Sequence, residues 1–273
     1  MSYWISNSPQ GQRIRAFCDV AGTRDLGEAV VRLAGLIRSK SRQDAPPFSA
    51  HLYCKPYNVS VEDQWLIDCD ARLLPIPGGF VAEVQANHSA ARKQFSICHE
   101  LAHIFFDYKG SGSDGISCGA RSREERIEER LCDRIAVELL MPQEVFSVHA
   151  ARLPAELASV KYLANKFQVS LQTAMRRVVE LNIWDCGFVN YQTSQSGALR
   201  IRNWQVSEIW RDSSRSFFSG NLLGNEFRSA AGQTQYLFLP GTSRNFRVEW
   251  YACGGRLKTP LTCAFLSAVS VTN

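Results

Sequence analysis

Apolar residues recur at helical spacing over residues 25–40, at Leu26, Ala29, Val30, Leu33 and Ile37, and predict an amphipathic helix. Its basic end, Arg38 and Lys40, suits the negative pole of the helix dipole. Asp44-Ala-Pro-Pro47 then breaks the chain. Residues 51–85 read as short strands punctuated by Pro56, Pro75, Pro77, Gly78 and Gly79. The last of them, Phe80–Val84, is read either as ordinary core or as a sheet edge where an extended chain could pair. A helix is predicted from about 90 to 108 around the apolar run Phe95–Phe106, closed by the Gly/Ser loop 110–115. A second helix begins near Ser122, whose spacing to Glu125 fits a capping box, and stops at Met141-Pro142.

Residues 155–183 carry two further helical patterns. One ends near Phe167 and the next is capped by Ser170, which gives the outline of a helix-turn-helix. From Cys186 the period changes to alternation, in Leu199–Trp204, Gln235–Leu239 and Phe246–Tyr251. The class expected is α+β in three parts: residues 1–150, a helical block at 151–184 and a β-rich part at 185–273. The aromatics of the last part, among them Trp204, Trp210, Phe217, Phe218 and Trp250, are expected to fill a small core.

Composition narrows the setting. With 273 residues, 45% of them hydrophobic, the chain can bury a sizeable core. No stretch approaches the ~20 apolar residues of a membrane span, and the first ten residues lack the basic and apolar regions of a secretory signal, so a cytoplasmic protein without membrane contact is expected. Nine cysteines without a Cys-x-x-Cys pair argue against a disulfide framework and a cysteine-rich zinc module. Cys98, next to His99, is read as a buried helix residue, with a redox role as the alternative. A net charge of +5 tolerates nucleic-acid contact without demanding it. The five arginines and five acids over 121–134 read as a solvated face.

The chemistry is concentrated in His99-Glu100-Leu101-Ala102-His103. Residues four apart share a helix face, so both imidazoles can reach one metal ion, and Glu100 lies about 100° further round, within reach of a metal-bound water. A catalytic zinc usually takes a third protein ligand. The metzincin pattern is excluded, because Phe106 and Lys109 stand where its glycine and third histidine would fall. Asp107 shares the face of His103 and is one candidate. Glu129 is the stronger one, since Asp133 follows it by four and can accept a hydrogen bond from a ligand imidazole. Spacing alone does not exclude Glu128. Tyr108 and His149 are candidates for stabilising an oxyanion.

The stretch Arg92–His103, followed by Glu129–Pro142, resembles the ImmA/IrrE family of metallopeptidases. That family has an Arg-x-x-Phe approach to its His-Glu-x-x-His helix, and a second helix of the form Glu-x-x-Ala-Asn-x-Phe-Ala-x-x-Leu-Leu-Met-Pro. The Leu-Leu-Met-Pro ending is matched in full, whereas Cys132, Asp133 and Ile135 replace Ala, Asn and Phe. The motifs cover about residues 92–142, and 155–183 resembles the family's following segment. The C-terminal ninety or so residues carry no resemblance. The resemblance implies a zincin-like, gluzincin-like peptidase domain over 1–150 that binds Zn2+ through His99, His103 and Glu129, with Glu100 as general base and Asp133 behind a ligand. It also implies a substrate: members cleave helix-turn-helix repressors and so switch on mobile-element, stress or DNA-damage genes.

In a DNA-binding reading, residues 170–182 would be a recognition helix with Gln172, Thr173, Arg176 and Arg177 at bases or phosphates. The block has few basic residues for a groove reader, so packing or a grip on a protein partner is the preferred reading. Against a site-specific peptidase stand two alternatives: a DNA-binding regulator with a structural metal site, and an antitoxin-like protein that uses the fold as a scaffold. Glu100 favours the peptidase, because a structural site needs no general base there.

Overall fold

The structure is a computed structural model that describes residues 8–106, 122–193, 199–208, 234–238, 245–253 and 261–269. It is an α+β protein, with eight α-helices and two sheets among the described residues. The chain forms two compact units, residues 1–145 with 165–170 and residues 146–164 with 171–273. The segment 151–184 is divided between them.

The first unit opens with α1 (Pro9–Ala21) and α2 (Leu26–Ser41). The Asp25 carboxylate accepts the Glu28 N–H at 2.9 Å and caps α2, whose inner face is Leu26, Ala29, Val30, Leu33 and Ile37, the positions read from the periodicity. A short helix α3 (Ala50–Cys54) and a 3-10 turn follow, where strands are expected from the sequence. Burial fixes this local choice: Tyr53 is fully buried and its hydroxyl donates to the Leu139 carbonyl at 2.9 Å.

Three strands follow: β1 (Val59–Gln64), β2 (Ala71–Ile76) and β3 (Gly79–Gln85). Their order is β1-β3-β2, with β3 parallel to β1 and antiparallel to β2. The strand at Phe80–Val84 is therefore central and does not form the sheet edge. Ala82 and Val84 are fully buried, and both sides of its backbone are already paired. The edges are β1 and β2, and β2 tolerates Pro75 because it is one of them. Pro77 and Gly78 turn the chain between β2 and β3, with Gly78 at φ +85°. A Cβ on Gly79 would lie 2.1 Å from the Asn58 carbonyl oxygen, so only glycine lets the two backbones approach.

The helix α4 (Ala90–His103) starts at Ser89, whose hydroxyl accepts the Arg92 N–H, and packs against α5 (Arg123–Leu140). It stops five residues before the expected end. The N–H groups of Ile104, Phe105 and Phe106 bond three residues back instead of four, which closes the helix with a tighter turn. Phe106 is buried and stacks on Phe17 of α1, with ring centroids 4.5 Å apart. Asp107, Tyr108 and the loop 110–115 lie outside the described residues. The capping box at the start of α5 is formed as expected: Ser122 Oγ accepts the Glu125 N–H at 3.1 Å, and Glu125 accepts the Ser122 N–H at 2.6 Å.

After α6 (Gln143–Ala150) come α7 (Leu157–Phe167) and α8 (Leu171–Glu180), with α8 starting directly after Ser170. The second unit carries β4 (Cys186–Thr193), β5 (Leu199–Val206), β6 (Thr234–Phe238), β7 (Asn245–Cys253) and β8 (Leu261–Val269). They form one antiparallel sheet in the order β5-β4-β8-β7-β6. Phe188, Tyr191, Val248, Phe265 and Leu266 are buried, and Trp184 meets Phe265 edge-on. Glu249 is buried and anchors the start of α7 by accepting the Leu157 N–H at 2.8 Å. Trp204 does not join this core, being 38% exposed. Trp210, Phe217 and Phe218 lie outside the described residues, as does the Trp250 side chain.

Candidate metal centre

The packing of α4 on α5 brings together what the two sequence motifs keep apart. His99 and His103 stand one turn apart on α4, and Glu129 faces them from α5. The two Nε2 atoms are 3.2 Å apart; Glu129 Oε2 is 3.6 Å from His99 Nε2, and Glu129 Oε1 is 3.8 Å from His103 Nε2. Ligands at about 2.05 Å in a tetrahedron stand roughly 3.3 Å from one another. Among the described residues these three side chains are the one group of His, Cys, Asp and Glu that could hold a metal ion.

The protons decide whether they fit one. His99 Nδ1 lies 2.9 Å from Asp133 Oδ1, and His103 Nδ1 lies 3.2 Å from Glu128 Oε1. A carboxylate only accepts, so each ring donates its Nδ1–H outward and turns Nε2 inward, where a neutral ring offers a lone pair. Two Nε2 atoms facing each other at 3.2 Å beside a carboxylate call for a cation among them, a proton or a metal ion. Burial works against a charged His99, but Asp133, Glu129 and Glu100 outweigh it and raise its affinity for a proton to a pKa of about 10. A field that holds a proton this firmly also favours a metal dication.

Glu100 points to a different task. It is only 9% exposed, and burial drives its carboxyl above the usual range against the pull of His103 and His99. The Leu73 N–H of the edge strand β2 hydrogen-bonds to it. A buried carboxylate with a raised proton affinity beside a metal site suits a general base.

Glu128 is the residue that spacing leaves undecided. It is not placed among the ligand atoms. It backs His103, and Arg13 of α1 grips it through Nε to Oε2 at 3.1 Å and Nη2 to Oε1 at 2.6 Å. The charges at the start of α5 are therefore not all a solvated face, because Glu128, Glu129 and Asp133 turn toward α4. Nothing in the helical pattern marks Arg13, which is 115 positions away in sequence.

Cys98 is buried with its thiol pushed well above the ordinary range by burial, as expected of a helix-core residue. His149 lies on α6 in the second unit. On α8, Arg176 is exposed and Gln172 and Thr173 are half-buried. Arg177 cannot serve as a nucleic-acid contact: it is 4% exposed and pairs with Glu180 at 3.3 Å. The hydrophobic stripe of α8 turns it inward with Ala174, Met175, Val178 and Val179. No helix among the described residues is long and apolar enough to cross a membrane.

Residues 81–179 match a family model described as the IrrE N-terminal-like domain of the M78 peptidases. A solved structure described as a Mycobacterium tuberculosis transcriptional regulator is similar in fold, with a TM-score of 0.54 at 16% identity, over 96% of this chain and 81% of that one. A comparison with curated proteins finds no match.

Proposed function

We propose, from the match of residues 81–179 to the IrrE N-terminal-like domain of the M78 peptidases, that the chain is a zinc-dependent endopeptidase that cleaves a regulatory protein, a helix-turn-helix repressor. The observation that carries the reading is the pair of inward Nε2 atoms 3.2 Å apart, each ring held by a carboxylate behind it, with Glu129 opposite and Glu100 buried alongside.

His99, His103 and Glu129 would hold the zinc. Bound there, zinc supplies a water whose pKa is lowered to about 7 and a Lewis acid for the scissile carbonyl. Glu100 takes the proton of the attacking water at its carboxylate and returns it to the nitrogen of the leaving amine. Its raised proton affinity brings it closer to neutrality, where accepting and releasing a proton are both easy. Asp133 and Glu128 hold the imidazoles in the tautomer that leaves Nε2 free. The edge of β2 passes Glu100 at Leu73, so an extended substrate would pair there rather than at β3.

Support for a regulatory target comes from the sequence's resemblance to a family whose members cleave helix-turn-helix repressors, and a protein of similar fold is described as a transcriptional regulator. The decisive experiment compares wild type with Glu100→Gln. Bound zinc is measured in each, and each is incubated with the repressors encoded beside its gene. Both should bind zinc and only wild type should cut. If both bind zinc and neither cuts, or both cut equally, the peptidase reading fails.

A further inference from the structure

Arg13 belongs to α1, outside the segment matched by the family model, yet it is built into the metal centre. Its guanidinium meets both oxygens of Glu128, at 3.1 and 2.6 Å, and the oxygen at 2.6 Å also faces His103 Nδ1 at 3.2 Å. The Glu128 side chain is 7% exposed, so water does little to screen this chain of contacts. We propose that Arg13 is a positioning residue for the metal centre: it locks Glu128 behind His103 and keeps it from competing with Glu129 for the cation. This rests on reading His99, His103 and Glu129 as a zinc site.

The need for such a lock is electrostatic. Glu100, Glu128, Glu129 and Asp133 crowd one site, and Glu128 and Glu129 are neighbours in sequence. A buried carboxylate with a free oxygen would be drawn to a dication and displace or distort its ligand set. A bidentate guanidinium occupies both oxygens in a fixed plane and leaves a single direction open, toward His103. Lysine, a point charge on a flexible stem, cannot impose that plane. The position of Arg13 is fixed in turn by its helix. Ser8 Oγ accepts the Gly11 N–H at 3.1 Å to start α1, and Phe17, one turn past Arg13, stacks on Phe106 just beyond His103.

The test uses the full chain with Zn2+ and Co2+ as probes. Zinc affinity is measured by competition with a chromophoric chelator, and coordination by the visible spectrum of the Co2+ form, in wild type, Arg13→Met, Arg13→Lys, Glu128→Gln and the Arg13→Met/Glu128→Gln double variant. Arg13→Met should bind zinc about 10–100-fold more weakly, with a changed Co2+ spectrum, and Arg13→Lys should recover part of the loss. The double variant should be no worse than Arg13→Met alone, because a neutral amide no longer competes for the metal. Arg13→Met within twofold of wild type, with an unchanged Co2+ spectrum, overturns the proposal even if the protein unfolds earlier. So do additive losses in the double variant. Should Arg13→Met not fold, Arg13→Lys decides, since wild-type affinity and spectrum in that variant are equally fatal. None of these measurements uses cleavage. A protein that binds zinc as expected and cuts nothing loses the peptidase reading and keeps this one, whereas a wild type that binds no zinc loses both.

Discussion

Asp133 Oδ1 lies 2.9 Å from His99 Nδ1, on the far side of the ring from Nε2. One hydrogen bond thus sets both which nitrogen carries the proton and where the other points. Asp133→Asn can keep the geometry and lose the charge, whereas Asp133→Ala loses both. Zinc affinity should fall by about 10–100-fold in the second and by less in the first, as chelator competition would read. Equal affinity in all three proteins would remove Asp133 from the site.

Glu128 and Glu129 are adjacent and face the same helix, but they do different work. Glu129 puts its oxygens 3.6 and 3.8 Å from the two Nε2 atoms, whereas Glu128 meets His103 from behind. Glu129→Ala should therefore abolish tight zinc binding, and Glu128→Ala should weaken it by about 10–100-fold. Titration of each variant with zinc distinguishes them, and equal loss in both contradicts the assignment of Glu129 as the third ligand.

Much of this site is legible in the amino-acid sequence. Period, cap and motif place His99, Glu100 and His103 on one helix and Glu129 with Asp133 on the next, because these are local properties of four-residue spacing. Arg13 has no such signature. It meets Glu128 only because Phe17 and Ile14 bury α1 in the same core, and burial across 115 positions leaves no period to count. The sheet edge is hidden for a related reason. Phe80–Val84 and Ala71–Ile76 both read as strands, and which is central depends on the return of β1 beside β3, a pairing between distant segments. The helix at Ala50–Cys54 leaves no trace in the pattern because five residues are too few to show a period.

Glu100 should cost stability where it is charged. Burial raises its proton affinity in the folded chain above that of an exposed carboxyl. A group with a raised folded pKa binds its proton more tightly folded than unfolded, so folding stability falls as pH rises from the unfolded value through the folded one. Glu100→Gln has no such dependence. Without added metal, the variant should melt at a higher temperature than wild type at pH 7, and the gap should close at pH 4. A variant that is less stable than wild type at pH 7 would show that the Leu73 N–H bond outweighs the buried charge.

The described cysteines divide sharply by environment. Cys69 is exposed, whereas Cys18, Cys54, Cys98, Cys132 and Cys186 are buried, and burial pushes the Cys54 thiol up to about 12. Alkylation requires the thiolate and access together. Brief treatment of the native protein with iodoacetamide at pH 7.5, followed by peptide mapping, should label Cys69 well ahead of these five. Early labelling of Cys98 or Cys132 would mean that the α4–α5 pair opens readily.

Arg176 and Arg177 are adjacent on α8 and should behave as opposites. Arg176 is exposed, so its truncation should change stability by no more than about 0.5 kcal/mol. Arg177 is 4% exposed among Met175, Val178 and Val179 and pairs with Glu180. Arg177→Ala removes a buried guanidinium along with the packing of its stem, and it should lower the unfolding midpoint clearly. A mobility-shift titration of duplex DNA across salt concentrations then separates structure from recognition. If α8 reads a groove, Arg176→Ala should weaken binding and reduce its salt slope by about one without changing the melting temperature. Salt-insensitive or absent binding in wild type leaves α8 with a packing role, which is what the inward position of Arg177 already favours.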